Sequence, residues 1–366
     1  MEQRSRIAVI GGGISGLYMA NKLSRTHEVT IFEADKWGGD VQHVNVDGEC
    51  YPVSTIAVMP GDNELRRELL LRRIKPSAVD MLPFNRPLIL FLIVAVLPVA
   101  AGCVIFAKGV FTRIMAAIIL ILAIYMLNRS INKSIGDLLL ALGADNAPRS
   151  NHTGQSIRNY VGNIRYVFES FKILSECGFS KLVQSYLTNP DITYVNERVK
   201  RLDRNATSAT VHTGHHVSQF DKVVIACPFL SYMSFMPLDE AEKQVLSQNT
   251  YFDFYSTLLM LDGEVSSEQL HEIAHQGIFK FKDGVYLLAS HIPLTNLPAH
   301  VKYKKEFKWK MLIKSKQIQT LKRATNEKKD RTVLFVGKEM ATSNGVNSCM
   351  RYCGHVLETH FGLTRA

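Results

Sequence analysis

Three closely spaced glycines near the start of the chain are the residues whose spacing most directly indicates a chemistry. Gly11, Gly13 and Gly16 fit the pattern G-x-G-x-x-G. The first glycine permits a tight turn, the second lets a pyrophosphate approach the backbone, and the third allows a helix to pack closely on a strand. Ile14 and Ser15 of this motif are candidate ligand contacts, and the free N–H groups at the start of the following helix would face the phosphates. The pattern therefore predicts a dinucleotide site.

The segments around the glycines have the order that such a site requires. Residues 6–10 are short, apolar and β-rich, which predicts a buried parallel strand. Residues 17–23 have the apolar spacing of a helix, and residues 28–32 predict a second strand, followed by Glu33 and Ala34. A carboxylate at this place can bind both ribose hydroxyls and would repel the ribose phosphate of NADP. FAD and NAD remain as candidate ligands.

A second glycine pair distinguishes between these two ligands. The opening sequence IAVIGGGISGLYMANKLSRTHEVTIFEADKWGGDVQHV resembles that of the flavin-containing amine oxidase superfamily, in which a glycine pair follows the acid by a few residues. Gly38 and Gly39 occupy that place, so the resemblance implies FAD as the cofactor. The family usually has Arg or His directly after the pair and Thr or Ser a little later, where this chain has Asp40 and His43.

The resemblance continues in two later segments. Residues 176–187 are similar to a helix start of the family, and the strands that follow place Val199 where the family has a valine against the adenine. Residues 331–362 resemble the last flavin segment, with Gly337 at the end of a strand. Glu339 is near the position of an acid that contacts the ribityl or pyrophosphate region. The resemblance implies that these residues complete the FAD site.

Two apolar runs lie between these segments. Residues 88–107 contain no charged residue and, as a helix, would span about 30 Å, the thickness of a bilayer core. Residues 110–127 are interrupted only by Arg113. We expect a transmembrane or membrane-inserted helical hairpin over residues 86–130, and a pair of buried core helices is the alternative. More basic residues flank the hairpin than occupy its loop, which places the flavin domain on the cytoplasmic side of the membrane.

Positive charge is concentrated in one segment. The chain has 366 residues and a net charge of +10, of which residues 302–331 carry +9. Such a segment suits anionic lipid headgroups, and a solvated surface without a partner is the alternative. We expect membrane lipids as partners, and no nucleic acid. The six cysteines form no CxxC and no Cys/His spacing typical of zinc, so we expect a reducing compartment and no metal site.

These patterns predict an α/β fold. An FAD-binding Rossmann-like domain with a parallel sheet is joined to an α+β substrate domain with an antiparallel sheet, and the apolar helical hairpin is inserted between them. Residues 134–187 have a mainly helical pattern. The FAD-binding domain is expected to be discontinuous, and the expected ranges are 1–80, 176–228 and 331–366 for the FAD-binding domain and 131–175 and 229–330 for the substrate domain.

The resemblance implies an FAD-dependent oxidoreductase, and the hairpin favours a small, apolar or lipid-like substrate. Because a flavin supplies its own redox reactivity, no protein nucleophile is required. The catalytic residues are unknown; Trp309 is the one candidate, because the family often places an aromatic from this stretch beside the flavin ring. Two alternatives stay open: a flavin-dependent isomerase or desaturase of polyenes or fatty acids, and a catalytically degenerate FAD-binding membrane protein.

Overall fold

The computed structural model describes most of the chain outside its central third. The described residues are 4–54, 57–58, 63–74, 77–78, 102, 104–105, 109–110, 112, 114–121, 172–173, 177–240, 242–243, 251–263, 277–295, 297, 300–312, 326, 332–341 and 345–363.

The helices and strands follow one another in alternating groups. The strands are β1 (Arg6–Ile10), β2 (Glu28–Phe32), β3 (His43–Val46), β4 (Glu49–Pro52), β5 (Ala57–Val58), β6 (Ser77–Ala78), β7 (Lys172–Ile173), β8 (Ile192–Val195), β9 (Arg201–Arg204), β10 (Ala209–His212), β11 (Val217–Phe220), β12 (Lys222–Ile225), β13 (Tyr251–Leu261), β14 (Gly277–Lys282), β15 (Val285–Ser290), β16 (Val301–Leu312) and β17 (Val333–Phe335). The helices include α1 (Ile14–Leu23), α2 (Asn63–Leu71), α3 (Gly178–Leu187), α4 (Phe229–Tyr232) and α5 (Val346–Phe361).

A five-stranded parallel sheet forms the larger core, with the order β17-β12-β1-β2-β8. Its strands are short and apolar on both faces, as expected for parallel strands covered by helices. Side chains of α1, α3 and α5 pack with these strands in one continuous apolar core. The predicted strand at residues 6–10 and its parallel partner at 28–32 are confirmed, and both end at the same edge of the sheet.

A buried carboxylate joins three helices beside this core. Glu68 of α2 is fully buried, and its oxygens lie 2.8 Å from Nζ of Lys22 and 2.6 Å from Nη1 of Arg72. The Tyr186 hydroxyl donates a third bond to Glu68 at 2.8 Å. A buried charge is tolerated when it is paired and hydrogen-bonded in this way. The network holds α1 and α3, which flank the glycine motifs, in a fixed relative position.

A four-stranded antiparallel sheet with the order β14-β15-β13-β16 forms the second core. The predicted antiparallel sheet is therefore confirmed, with a hairpin turn between β14 and β15. One face packs against the β3–β4 hairpin, where Val44, Tyr51 and Val53 contact the apolar side chains of β13 and β16. Because β3 follows directly after the second glycine pair, this packing fixes the antiparallel sheet against the site end of the parallel sheet.

The predicted apolar hairpin lies largely outside the described residues. Of residues 88–107 only 102, 104 and 105 are described, whereas residues 114–121 of the second run are helical. Among the residues that the structure describes, no helix has both the length and the apolar character that crossing a membrane requires. The mainly helical pattern expected over residues 134–187 is wrong at Lys172–Ile173, which form a strand between β5 and β6. Strand pairing over such a distance overrides local helical spacing.

Candidate dinucleotide site

The first glycine motif forms the turn that its spacing predicts. Gly11 has φ of 110°, which favours glycine, and its N–H donates to the Phe32 carbonyl at 2.8 Å. A Cβ on Gly16 would lie 1.9 Å from the Gly11 carbonyl oxygen, so only glycine lets α1 approach the turn. The turn and the close helix packing assigned to these two glycines are therefore confirmed by the geometry.

The second glycine pair lies directly against the first motif. The Gly38 N–H donates to the Gly12 carbonyl at 2.7 Å, and Gly13 and Gly38 form an isolated parallel bridge. A Cβ on Gly39 would lie 3.0 Å from the Gly13 Cα. A Cβ on Gly13 itself would meet nothing nearer than the Gly39 Cα at 3.9 Å, because that side of Gly13 faces open space. The two motifs thus form one bare backbone surface that a phosphate group can approach.

Glu33 is positioned by the same turn. Its Oε2 accepts from the Gly12 N–H at 2.5 Å, and its Oε1 accepts from the Asp35 N–H at 2.8 Å. These two bonds fix the carboxylate at the end of β2. Since each carboxylate oxygen has a second lone pair, the group can still accept bonds from a ligand's hydroxyls.

One cavity joins all the sequence-predicted cofactor residues except one. It is lined by residues from five separate segments, and the predicted residues among them are Gly11, Gly13, Ile14, Ser15, Glu33, Ala34, Gly38, Gly39, Val199, Gly337 and Glu339. Gly16 is the exception, because it lies behind the turn in the helix–strand contact. Val199 is buried, directly before β9. The fold therefore gathers residues that lie more than 300 positions apart in sequence.

Two helices direct their amino-terminal ends to this cavity. Helix α1 begins after Gly13 and helix α5 begins after Gly345. Neither helix has a side-chain cap or an acidic residue in its first turn, and Ile14 and Val346 line the cavity. Helix amino termini favour negative charge through their N–H groups and the helix dipole. The cavity is therefore suited to a ligand with anionic groups at two places.

An ion pair at the rim was not predicted from the sequence. Nζ of Lys338 donates to Oδ2 of Asp40 at 2.7 Å and to the carbonyl of Lys310 at 3.1 Å. Burial opposes the charge of Lys338, but Asp40 and then Glu339 outweigh it, so the pKa of Lys338 is raised. The lysine remains protonated and connects the glycine loop, the segment after β17, and β16 of the antiparallel sheet. The signal that could have revealed it is the lysine between Gly337 and Glu339.

The cavity also contains a thiol that the sequence did not single out. Cys227, two residues after the end of β12, lines the cavity beside Gly11. Burial, together with the nearby charge of Glu339, raises the pKa of this thiol to about 12. Cys227 therefore remains a neutral thiol at physiological pH, which makes it a weak nucleophile. The cavity has the shape and backbone N–H groups to bind and orient a ligand, whereas this thiol supplies little reactivity of its own.

Trp309 does not line this cavity. It lies on β16 opposite Phe254 of β13, in the apolar cluster between the antiparallel sheet and the β3–β4 hairpin. Its indole N–H donates to the Ser256 hydroxyl at 2.8 Å, and its ring stacks on Phe307 with centroids 6.0 Å apart. In the structure Trp309 has a packing role. That Trp309 lies beside a flavin ring stays a prediction.

Comparison with known sequences identifies the glycine-rich segment. A family model described as an NAD(P)-binding Rossmann-like domain matches residues 9–72. An uncharacterized protein in the nifH2 3′ region of Methanothermococcus thermolithotrophicus is 39% identical over 66 residues, which are 18% of this chain. The matched part spans 65% of that relative's length.

Comparison with solved structures extends the similarity to nearly the whole chain. The CLA-producing fatty acid isomerase from P. acnes has a TM-score of 0.67 at 14% identity, covering 98% of this chain and 99% of the isomerase. Wild-type putrescine oxidase bound to putrescine has a TM-score of 0.59 at 14% identity, covering 96% and 97%. A putative protoporphyrinogen oxidase from Exiguobacterium sp. 255-15 has a TM-score of 0.65 at 13% identity, covering 97% and 98%. The chain therefore contains an NAD(P)-binding Rossmann-like domain and shares its overall fold with these three solved enzymes.

Proposed function

We propose that this protein is an FAD-dependent oxidoreductase. The observation that carries the proposal is the single cavity formed by both glycine motifs, Glu33, Val199 and the segment from Gly337 to Glu339. The first motif and the acid are common to NAD and FAD sites, so they do not distinguish the two ligands. The second glycine pair and the carboxy-terminal segment extend the cavity lining beyond the first motif. Lys338 of that segment contacts the Lys310 carbonyl of the antiparallel sheet, and the flavin ring would lie on this side of the cavity.

Each part of the site has a distinct role in holding FAD. Glu33 would accept hydrogen bonds from the ribose, Val199 would contact the adenine, and the bare backbone of Gly13 and Gly39 would receive the pyrophosphate. When bound, the flavin supplies the redox chemistry, while the protein orients it and excludes water. The antiparallel sheet lies on the same side as Lys338, so the substrate would approach the ring from that sheet.

The cofactor assignment is tested by the colour of the purified protein. We expect the full chain, purified in detergent, to show flavin absorbance bands and to release one equivalent of FAD when it is denatured. Colourless protein that neither contains nor takes up FAD would refute the assignment. Substitution of Glu33 by Ala is expected to lower FAD occupancy without removing the fold, because the carboxylate bonds only the local turn.

Replacement of Lys338 by Met should weaken FAD binding about tenfold or more, a change of ~1.4 kcal/mol. The substitution removes a positive charge from the cavity and leaves the Asp40 carboxylate without this partner, close to an anionic ligand. The family usually supplies a cation directly after the second glycine pair; here Lys338 provides it from the opposite wall. The dissociation constant can be measured by fluorescence quenching of FAD added to apoprotein.

The double variant Asp40→Asn with Lys338→Met is the matched control. It removes the stranded carboxylate as well as the lysine, so FAD affinity should recover part of the loss. Equal affinity of the wild type and Lys338→Met would contradict the electrostatic role of this lysine. A loss in the double variant as large as in the single variant would show that the stranded Asp40 carboxylate does not contribute to the weaker binding.

We also propose that the protein associates with a membrane, with its flavin domain on the cytoplasmic side, and acts on an apolar or lipid-like substrate. Three observations support this: the uncharged run at 88–107, the basic segment at 302–331, and the helical residues 114–121. On that helix Ile114, Ile118 and Ile121 are 53%, 45% and 64% exposed. Apolar side chains exposed together favour contact with lipid or another apolar surface.

Charged residues on this helix should release the protein from membranes. Each lysine placed near the centre of a membrane-inserted helix costs about 3 kcal/mol. We expect the wild type to stay in the membrane fraction after an alkaline carbonate wash and the double variant Ile118→Lys, Ile121→Lys to move to the supernatant. Val217→Lys, at a 68% exposed position of β11, is the matched control and should leave the distribution unchanged. Release of the wild type itself would contradict membrane insertion.

A flavin-dependent isomerase is the second candidate function. It is favoured by the high coverage and TM-score of the match to a fatty acid isomerase. An isomerase returns its electrons to the product, so substrate conversion would release no hydrogen peroxide and would need no electron acceptor. Conversion that depends on an acceptor would favour the oxidoreductase. Failure of every acceptor to reoxidise the photoreduced flavin would favour a protein that binds FAD without catalysis.

A further inference from the structure

Three side chains that are far apart in sequence meet behind the second glycine pair. Cys50 of β4 and Cys177, directly before α3, form a disulfide with Cα atoms 5.7 Å apart, although 127 positions separate them. His43 of β3 lies beside them. A ring nitrogen of His43 and the two sulfurs all lie within 4.8 Å of one another. This cluster lies outside the dinucleotide cavity.

The strand pairing explains why these residues face one another. In the β3–β4 hairpin His43 is opposite Pro52, and Asn45 is opposite Cys50. His43 and Cys50 are thus diagonal neighbours on one face, while Val44 and Tyr51 on the other face enter the apolar cluster. The start of α3 covers the first face with Cys177.

His43 is held by a second residue of α3. Its Nδ1 is hydrogen-bonded to the Ser180 hydroxyl at 2.8 Å. Metal-binding histidines usually have their second ring nitrogen fixed by such a partner, which orients the ring and selects the tautomer. With Nδ1 engaged, Nε2 is the nitrogen that remains for a ligand.

We propose that His43, Cys50 and Cys177 form a redox-dependent site for a zinc-like divalent metal ion. Two thiolates and one imidazole are the ligand set that zinc prefers, and three protein ligands leave a fourth position for water. Zinc–sulfur bonds of about 2.3 Å and zinc–nitrogen bonds of about 2.0 Å require ligand atoms roughly 3–4 Å apart. With the sulfurs joined in the disulfide the three atoms already lie within 4.8 Å of one another, and reduction frees the two sulfurs to separate to the distance that the ion requires.

The disulfide and the metal exclude each other, because only the reduced cysteines can bind an ion. Two equivalents of a small thiol break the S–S bond, become a disulfide themselves, and leave Cys50 and Cys177 as thiols. Binding of the ion then releases the two thiol protons. In both forms β4 stays linked to α3, and Val183 of α3 packs against Gly38. The site therefore supports the glycine pair in either redox state.

Cobalt provides the direct test, because Co²⁺ bound to thiolates absorbs at wavelengths beyond the flavin bands. Full-length protein is reduced with a phosphine, freed of metal with a chelator, and titrated with Co²⁺ and then with Zn²⁺. We expect one equivalent of Co²⁺ to bind, Zn²⁺ to displace it, and oxidation to the disulfide to abolish binding. The Cys50→Ser and Cys177→Ser variants should each bind at least 100-fold more weakly.

Further variants separate metal binding from folding. His43 is exposed, so His43→Ala should fold normally and still lose at least tenfold in affinity. Ser180→Ala should lose roughly tenfold, as expected for a group that orients a ligand. Cys353→Ala, which removes a buried thiol of α5 away from the cluster, should bind like the wild type. No cobalt binding by reduced wild type, or undiminished binding by His43→Ala and Cys50→Ser, would overturn the proposal.

Discussion

Gly13→Val is expected to purify as a folded protein that binds FAD about 100-fold more weakly or not at all. The backbone at Gly13 has φ of −68° and ψ of 174°, which valine adopts without strain. The new Cβ meets nothing nearer than 3.9 Å in the protein, but it fills the space that the pyrophosphate needs. Loss of even one or two charged hydrogen bonds, at ~1.5–3 kcal/mol each, accounts for this factor.

A matched glycine outside the cavity provides the control for Gly13→Val. Gly214 lies in the turn between β10 and β11, and a Cβ there would meet only the Nζ of Lys200, at 3.6 Å. Gly214→Val should keep its FAD. Thermal unfolding of both apoproteins should be close to that of the wild type, and FAD titration should separate them. If Gly13→Val kept its flavin fully, the placement of the pyrophosphate against Gly13 would be wrong.

Gly16→Ala should lower the stability of the folded protein, whereas Gly13→Val lowers its affinity for FAD. The added Cβ would lie 1.9 Å from the Gly11 carbonyl oxygen and 3.2 Å from the Ala226 Cβ, so α1 must move away from the sheet. Overpacking of this severity costs about 3 kcal/mol or more, a large fraction of a typical total stability of ~5–15 kcal/mol. Denaturant unfolding of the apoprotein would measure the loss, or the variant would be insoluble.

Gly13→Ala is the control for this second prediction. It makes the same substitution three residues earlier, where the Cβ has room, and it should leave the unfolding midpoint of the apoprotein nearly unchanged. If Gly16→Ala were as stable as Gly13→Ala, the close contact between α1 and the glycine turn would be wrong. The two variants therefore test whether Gly16 is needed for the close packing of α1 while Gly13 is not needed for stability.

The residues of the first motif could be predicted because their information is local. A turn, a helix start and two short strands depend on residues within about thirty positions of one another, and glycine has few alternatives at such places. The bounds of β1 and β2 and the placement of Glu33 follow from this local pattern. Val199, Gly337 and Glu339 were found through similarity to a family, which carries long-range information that spacing lacks.

The pairs that depend on distant segments could not be predicted. Asp40 is 298 positions from Lys338, and Cys50 is 127 from Cys177. Nothing in the spacing of either residue specifies its partner, because the partner is chosen by how the strands pair. The cysteines illustrate this well: no zinc-like spacing exists along the chain, yet the β3–β4 hairpin and α3 bring two of them beside a histidine.

The order of strands in the parallel sheet has a consequence for synthesis on the ribosome. β1 lies between β2, which is made almost at once, and β12, which is made more than 200 residues later. During that interval one edge of the central strand has no hydrogen-bonding neighbour, and such edges promote aggregation. The first glycine turn therefore lacks one flanking strand until β12 has been made, and release of a chain truncated before β12 would leave the sheet open at β1, the strand that leads into this turn.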